Sequence, residues 1–341
     1  MRKLLVVLVF LFAIGLIVGY VYFFQVPSHN EVKEYILIIE KGDNLRTIAR
    51  KLKTNGIIRN EFPFILLAKV YGIDKKIVPT AYKFDNTMSV FRIVDNIANE
   101  RIYTIKIRIP EGCTMYQVDE IFATNDFTKR GDILKIVTNR AIIEKYGIKS
   151  DRLEGYLFPS TYFVPFYYKD KPEEIVDMLV KTFFKKVNRE EYEKMAKNVG
   201  LTFEQAVVLA SIIEREAGKI KEEKYLVSSV FHNRLKKRMQ LGSCATVIYG
   251  LIDRGMWYNN NLKKWHLSYD TPYNTYIHFG LPKSAISNPS LESLKAAVTP
   301  ANTDYLYFVS KNDGTHVFSK SYLEHEKYVK IYQVDYWKYR R

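Results

Sequence analysis

Residues 202–216 read Thr202-Phe-Glu-Gln-Ala-Val-Val-Leu-Ala-Ser-Ile-Ile-Glu-Arg-Glu216, and this stretch decides what the second half of the chain must be. Thr202 followed three residues later by Gln205 is a capping-box pattern, in which the hydroxyl takes the N3 amide and the glutamine reaches back. A helix therefore starts here. From Ala206 to Ile213 it is apolar on nearly every side, so in a soluble domain it lies in the core. Val207, Ala210, Ser211 and Glu214 stand at i, i+3, i+4 and i+7, which puts the Glu214 carboxylate on a stripe of small residues one turn past the buried run.

A carboxylic acid at the edge of an apolar wall has its charged form disfavoured, and a rise of about 2 units over roughly 4.3 corresponds to about 3 kcal/mol. Such a group keeps a proton at neutral pH and can deliver it to a glycosidic oxygen. The alternative is a structural ion pair at the helix end, since most helix glutamates are ordinary surface residues. Arg215 points about 100° away, and only basic residues three or four positions off share the Glu214 side. Glu216 falls on another face and is expected to be solvated. Periodicity leaves catalysis and ion pairing both open.

Outward from this helix, 341 residues allow about two globular units. Hydrophobic residues at 47% and charged residues at 26% exclude wholesale disorder and a polytopic membrane protein. The net charge of +15 calls for an anionic partner. Leu4 to Phe24 carries no charge over 21 residues, the length of a helix spanning the roughly 30 Å bilayer core. Arg2 and Lys3 precede it, so the expectation is a single-pass inner (plasma) membrane protein with a cytoplasmic amino terminus and residues 28–341 outside. A cleaved signal has an apolar core of only about 7 to 15 residues, and Phe23-Phe24-Gln25-Val26 offers no small-residue cleavage site. With the basic part outside, nucleic acid is excluded as a partner, leaving anionic lipid or an acidic wall polymer.

After the expected anchor, Tyr35 to Ile39 reads as a strand and Lys41-Gly42-Asp43 as a turn. Leu45, Ile48, Ala49 and Leu52 then recur at helical spacing, with a second helix around Phe64 to Val70. The same order recurs 70 positions later, from the Tyr103–Ile109 strand through Glu111-Gly112 to Met115, Val118 and Phe122, aligning Gly42 with Gly112 and Asn55 with Asn125. From Asp170 the chain turns helical, with Asp170 as a cap, Pro172 in the first turn and Ile175, Met178, Leu179 and Phe183 on one face. Asn312-Asp-Gly314 closes a hairpin. The expected fold is α+β: residues 1–27 as tip and transmembrane anchor, 28–101 as a small βααβ module, 102–169 as a second α/β region, and 170–341 as a mainly helical catalytic domain with a terminal hairpin.

The first copy, Tyr35-Ile-Leu-Ile-Ile-Glu-Lys-Gly-Asp-Asn-Leu45 with its Ile48-Ala49 helix, resembles a LysM module, which implies binding of N-acetylglucosamine polymers; a packing module with a turn glycine reads equally well. A wider resemblance rests on ordered motifs: Leu153-Glu-Gly-Tyr-Leu-Phe-Pro159, Ala210-Ser-Ile-Ile-Glu-Arg-Glu216, Val230-Phe-His-Asn-Arg-Leu235, Thr246-Val-Ile-Tyr249, Thr271-Pro-Tyr-Asn-Thr-Tyr276, Gly280-Leu-Pro282, Ile286-Ser-Asn-Pro289 and Tyr305-Leu-Tyr-Phe-Val309. Together they resemble the YceG-like family of endolytic murein transglycosylases over residues 34–330. The resemblance implies cleavage inside nascent glycan strands, between N-acetylmuramic acid and N-acetylglucosamine, with 1,6-anhydro ends as products. It implies Glu214 as the catalytic acid and then base, no cofactor, and synthases of the elongation machinery as partners.

For substrate contacts, Asn274 offers an amide suited to an N-acetyl group, and Tyr249, Tyr273 and Tyr276 offer rings for sugar faces. Their other reading is core packing. Glu154, Asn233 and Thr246 complete the expected substrate-binding set. Two departures from the family pattern are Cys244-Ala245, where Asp-Pro is common, and Ser160, where aspartate is common; both put finer substrate contacts in question. The six histidines show no paired-ligand spacing, so no metal is expected. A non-catalytic glycan-binding scaffold and a hydrolytic muramidase stand as rivals.

Overall fold

The structure is a computed structural model that describes residues 2–24, 31–217, 220–257 and 261–338. The chain divides into two compact units, one formed by 1–106 with 163–169, the other by 107–162 with 170–341. Strands β3 (Thr104–Arg108) and β4 (Thr161–Pro165) pair in a two-stranded sheet.

The first unit begins with helix α1 (Arg2–Phe24). Side chains are described there from Val6 to Val21, and most large apolar ones are exposed. Among the described residues no helix is long and apolar enough to cross a membrane. This overturns the transmembrane anchor in the expected fold and, with it, the single-pass plasma-membrane placement, because the described side chains of α1, residues 6–21, fall short of the about 20 apolar residues that a span needs. Of the stretch Phe23-Phe24-Gln25-Val26, expected to offer no cleavage site, Gln25 and Val26 lie outside the described residues.

Then follow β1 (Glu34–Ile39), α2 (Leu45–Thr54), α3 (Glu61–Val70), β2 (Thr80–Asp85) and α4 (Val90–Ala98). β1 and β2 pair antiparallel from Glu34↔Asp85 to Ile39↔Thr80. Leu37 and Ile39 from β1 meet Ile48, Ala49 and Leu52 from α2 and Phe64 from α3 in one buried cluster. The two helical copies recognised in the sequence share their punctuation. Gly42 and Gly112 both adopt positive φ, at 96° and 73°. Asn55 and Asn125 both cap a helix, each amide donating at 2.8 Å to the carbonyl four residues back.

The second unit holds α5 (Met115–Thr124), α6 (Asp132–Val137), α7 (Arg140–Lys145), α8 (Pro172–Lys186), α9 (Arg189–Asn198), α10 (Phe203–Glu216), α11 (Lys221–Lys236), α12 (Cys244–Asp253), α13 (Lys264–Leu267), α14 (Leu291–Val298), the hairpin β5 (Tyr307–Ser310) and β6 (His316–Ser319), and α15 (Tyr322–Val329). α8 starts without a side-chain cap, and Asp170, expected to cap it, takes a positive φ of 59° instead. Pro172 makes a cap hydrogen bond at N1 unnecessary, because its missing N–H is one of the donors a cap would serve. α10 opens with the expected capping box between Thr202 and Gln205, and every residue from Ala206 to Ile213 is buried. Its N-terminal end packs into an aromatic cluster in which Phe203 meets Phe183, Phe184 and Tyr192. α10 lies against α14, and the segment 286–290 leading into α14 is pinned to it: Ser211 Oγ accepts from Ile286 N at 3.0 Å, and Ser287 Oγ donates to Ser211 O.

Candidate active site

The buried run of α10 carries Glu214 to the amino-terminal end of α14. Ser290 is the N-cap of α14, and both its backbone N–H (2.9 Å) and its hydroxyl donate to Glu214 Oε2. Ser293 Oγ, one turn on, donates to the same oxygen at 2.6 Å. A helix N-terminus with free amides is a natural seat for an anion. Lys224, from α11, adds its Nζ at 3.0 Å from Oε2 and 3.2 Å from Oε1, and it donates to Ser290 Oγ as well. Oε2 therefore has four donors and Oε1 one.

The Glu214 and Lys224 side chains are only 7% and 5% exposed. Burial alone would raise the Glu214 carboxyl, but hydrogen bonds from Ser290 and Ser293 and the charge of Lys224 outweigh it and hold the group below its ordinary value. The expectation of a carboxyl protonated at rest is thus corrected: the apolar wall is there, but its open edge is filled with donors. The stem of Glu214 runs close to the 110–115 turn, since a Cβ on Gly112 would stand 3.5 Å from Glu214 Cγ. Arg215 points to that turn as well and donates to Gly112 O.

Glu216, expected to be solvated, borders a cleft of about 760 Å³ and accepts a hydrogen bond from Ser243 Oγ. Arg234, Tyr276, Phe279, Tyr307 and His325 line the same cleft. Arg234 lies over the Tyr307 ring at 5.1 Å and donates to the carbonyls of Leu306 and Leu241. Phe279 is 69% exposed. Of the expected substrate-binding residues only Tyr276 lines this cleft; burial and a nearby Cys244 push its hydroxyl up.

The other six are placed elsewhere, and each is satisfied internally. Glu154, Thr246, Tyr249, Tyr273 and Asn274 are all fully buried, which removes them from contact with a ligand in this structure. Tyr249 donates to Glu154 Oε2, and the Tyr273 hydroxyl meets Ser284 Oγ. Thr246 donates to Ser243 O. The Asn274 amide donates to Leu267 O and Tyr269 O and accepts from Tyr276 N, so both of its hydrogens are taken, and its burial keeps it from an N-acetyl group. Asn233 is half-buried and donates to Thr303 O and Tyr305 O. These side chains build the framework, because an amide or hydroxyl enclosed by a core must be matched from within.

Cys113 and Cys244 are both free thiols, the first buried and the second 3.2 Å from Tyr276 Oη. The residues that sequence reasoning missed are Lys224, Ser290 and Ser293. Ser290 carries a local signal, as a serine ahead of Leu291-Glu-Ser293 reads as an N-cap. Lys224 carries none, since it reaches Glu214 from a separate helix.

The model of the YceG-like family matches residues 37–331. A protein of Bacillus subtilis (strain 168) named endolytic murein transglycosylase is 32% identical over 322 residues, covering 88% of this chain and 86% of that protein. A protein of the same name from Streptococcus pneumoniae serotype 2 is 25% identical; the match covers 91% of this chain but only 61% of that longer protein. The crystal structure of a yceG-like protein of Listeria monocytogenes superimposes with a TM-score of 0.57 at 28% identity, covering 87% of this chain and all of that one.

Proposed function

This chain belongs to the YceG-like family, and on that premise we propose that it is an endolytic lytic transglycosylase of peptidoglycan, with Glu214 as acid and then base. The single observation that carries the activity is the similarity, along most of both chains, to the Bacillus protein of that name.

In this reading Glu214 gives a proton to the glycosidic oxygen as the bond from the muramyl C1 breaks. Its carboxylate then takes the proton of the muramyl C6 hydroxyl as that oxygen closes on C1, leaving a 1,6-anhydro end and a free hydroxyl on the departing sugar. One carboxyl serves both steps, as in retaining glycosidases. The first step needs the proton that the resting site lacks. Oε1 is the atom suited to carry it, because Lys224 is its one hydrogen-bond partner among the described residues, at 3.2 Å. A saccharide that displaces Lys224 removes one of the influences that hold the carboxyl down, and so moves it toward the neutral acid that burial favours.

One observation favours a second reading in which Glu216 is the acid: it borders the open cleft, whereas the Glu214 carboxylate is enclosed. Mass spectrometry of muropeptides released by the parent and by Glu214→Gln and Glu216→Gln separates the readings. Anhydro ends from the parent, lost in Glu214→Gln and kept in Glu216→Gln, support Glu214. Reducing ends indicate a hydrolytic muramidase, and no release indicates a binding scaffold. The β1-α2-α3-β2 order also supports reading residues 28–101 as a LysM-like glycan-binding module, and synthases that make nascent strands are the partners such an enzyme would meet. Binding of chitin oligomers to the chain, abolished by changes confined to that unit, tests the module.

A further inference from the structure

Glu154 is a fully buried carboxylate for which the reaction above has no use. Its position accounts for it. Met115 N donates to both of its oxygens at 3.0 and 2.9 Å, Asn288 Nδ2 donates to Oε1 at 2.9 Å, and the Tyr249 hydroxyl donates to Oε2 at 3.0 Å. All three partners present hydrogens, so an acceptor-only carboxylate fits and an amide does not.

Two of these donors belong to segments that touch Glu214. Asn288 lies two residues before Ser290, and its side chain also accepts from Gly155 N and Leu157 N and donates to Cys113 O. Its backbone closes the joint: Asn288 N donates to Cys113 O, and Gly112 N donates to Asn288 O. Gly112 flanks the Glu214 stem, and Ser290 holds the Glu214 carboxylate with two bonds. Segments 112–115 and 286–290 are therefore fastened to each other at Asn288 and to Glu154 at Met115 and Asn288, and each bears on Glu214.

We propose that Glu154 is a positioning residue for Glu214: its carboxylate clamps segments 112–115 and 286–290 together, and through Ser290 and Gly112 it sets the place and hydrogen bonding of the Glu214 carboxylate. This rests on the reading of Glu214 as the acid. Arg152 and Tyr249 act on Glu154, which in turn acts on Tyr116 and Cys113, and burial pushes its carboxyl up to about 7. The clamp thus holds its charge with little reserve.

The test uses the full chain with Glu154→Gln, read by circular dichroism, by 13C NMR titration of the Glu214 carboxyl (assigned by its absence in Glu214→Gln), and by kcat and KM on glycan strands. The clamp predicts a folded variant in which the Glu214 titration moves up by about one unit as the Ser290 bonds slacken. kcat should fall by about 10- to 100-fold with KM within about threefold. Adding Ser290→Ala to Glu154→Gln should cost little more than either alone. Where Glu154→Gln does not fold, Glu154→Asp, which keeps the charge on a shorter stem, is read in the same way. An unmoved Glu214 titration, an unchanged kcat, additive losses or failure of both variants to fold would overturn the proposal, the last because a purely structural carboxylate does the same. Failure of the catalytic reading looks different: Glu214→Gln then keeps turnover, while the titration still reports on the clamp.

Discussion

Lys224 Nζ stands 3.0 Å from Glu214 Oε2 in a contact from which both side chains are almost wholly withdrawn from water. Breaking such a pair from one side strands the other charge, which typically costs about 3–5 kcal/mol. Lys224→Met should lose stability on that scale by urea unfolding. Lys224→Met combined with Glu214→Gln should lose clearly less than the two single losses summed, because no isolated charge remains. Additive losses would show that the contact is not maintained in solution.

The direction of the Glu214 shift fixes a pH window. Burial opposes ionisation, yet the Ser290 and Ser293 bonds and the Lys224 charge prevail, so the folded group titrates below its unfolded value of 4.5. Its stabilising contribution is complete above that value and is lost as pH falls through the lower folded one. For catalysis the consequence is reversed, since the acid form is the scarce one. kcat/KM should rise as pH is lowered from 8 to 5, and Ser293→Ala, which removes one bond to the carboxylate, should move that limb up by about one unit. A pH-rate profile unmoved by the substitution would separate Ser293 from the reacting group.

Glu154 predicts the opposite trend in stability. Its folded value of about 7 exceeds the unfolded 4.5, chiefly through burial, so its contribution is present below 4.5 and disappears as pH rises through 7. Between pH 5 and 8 this single group should account for a decline of about 2–3 kcal/mol in unfolding free energy. Urea titrations at the two pH values should show that decline in the parent and its absence in Glu154→Gln. Equal declines in both would contradict the assignment.

Gly155 sits beside this joint with φ of 93°, and a Cβ there would come within 2.7 Å of Ala285 Cβ and 2.9 Å of Val207 Cγ1. Gly155→Ala combines an unfavourable backbone region with overpacking against α10, together about 2–4 kcal/mol. A thermal melt of the variant within a degree of the parent would refute this.

What could be read from the sequence was what neighbours along the chain determine. The capping box at Thr202, the buried run to Ile213, the β1 strand and the Asn312-Asp-Gly314 hairpin are local patterns, and each appears where its residues put it. The Glu214 environment depends on contacts over long separations, to Lys224 on α11 and to Ser290 and Ser293 on α14, and no periodicity encodes these. The same limit applied to Asn274 and Tyr249. Their chemistry suits a sugar, but only the folded chain reveals that Leu267 O, Tyr269 O and Glu154 already occupy it. Helical angle separates Glu216 from Glu214 and suggests a solvated side chain, whereas the cleft it borders is assembled from segments far apart in sequence. Length and hydropathy at the amino terminus suggested an anchor that the described part of α1 does not sustain.

The most direct measurement is the muropeptide product spectrum of Glu214→Gln beside that of the parent at matched concentration. The account predicts 1,6-anhydro ends from the parent and a fall of at least about 100-fold in their formation by the variant, with glycan binding retained. Anhydro ends formed by Glu214→Gln at the parental rate, or their loss in Glu216→Gln alone, would contradict it.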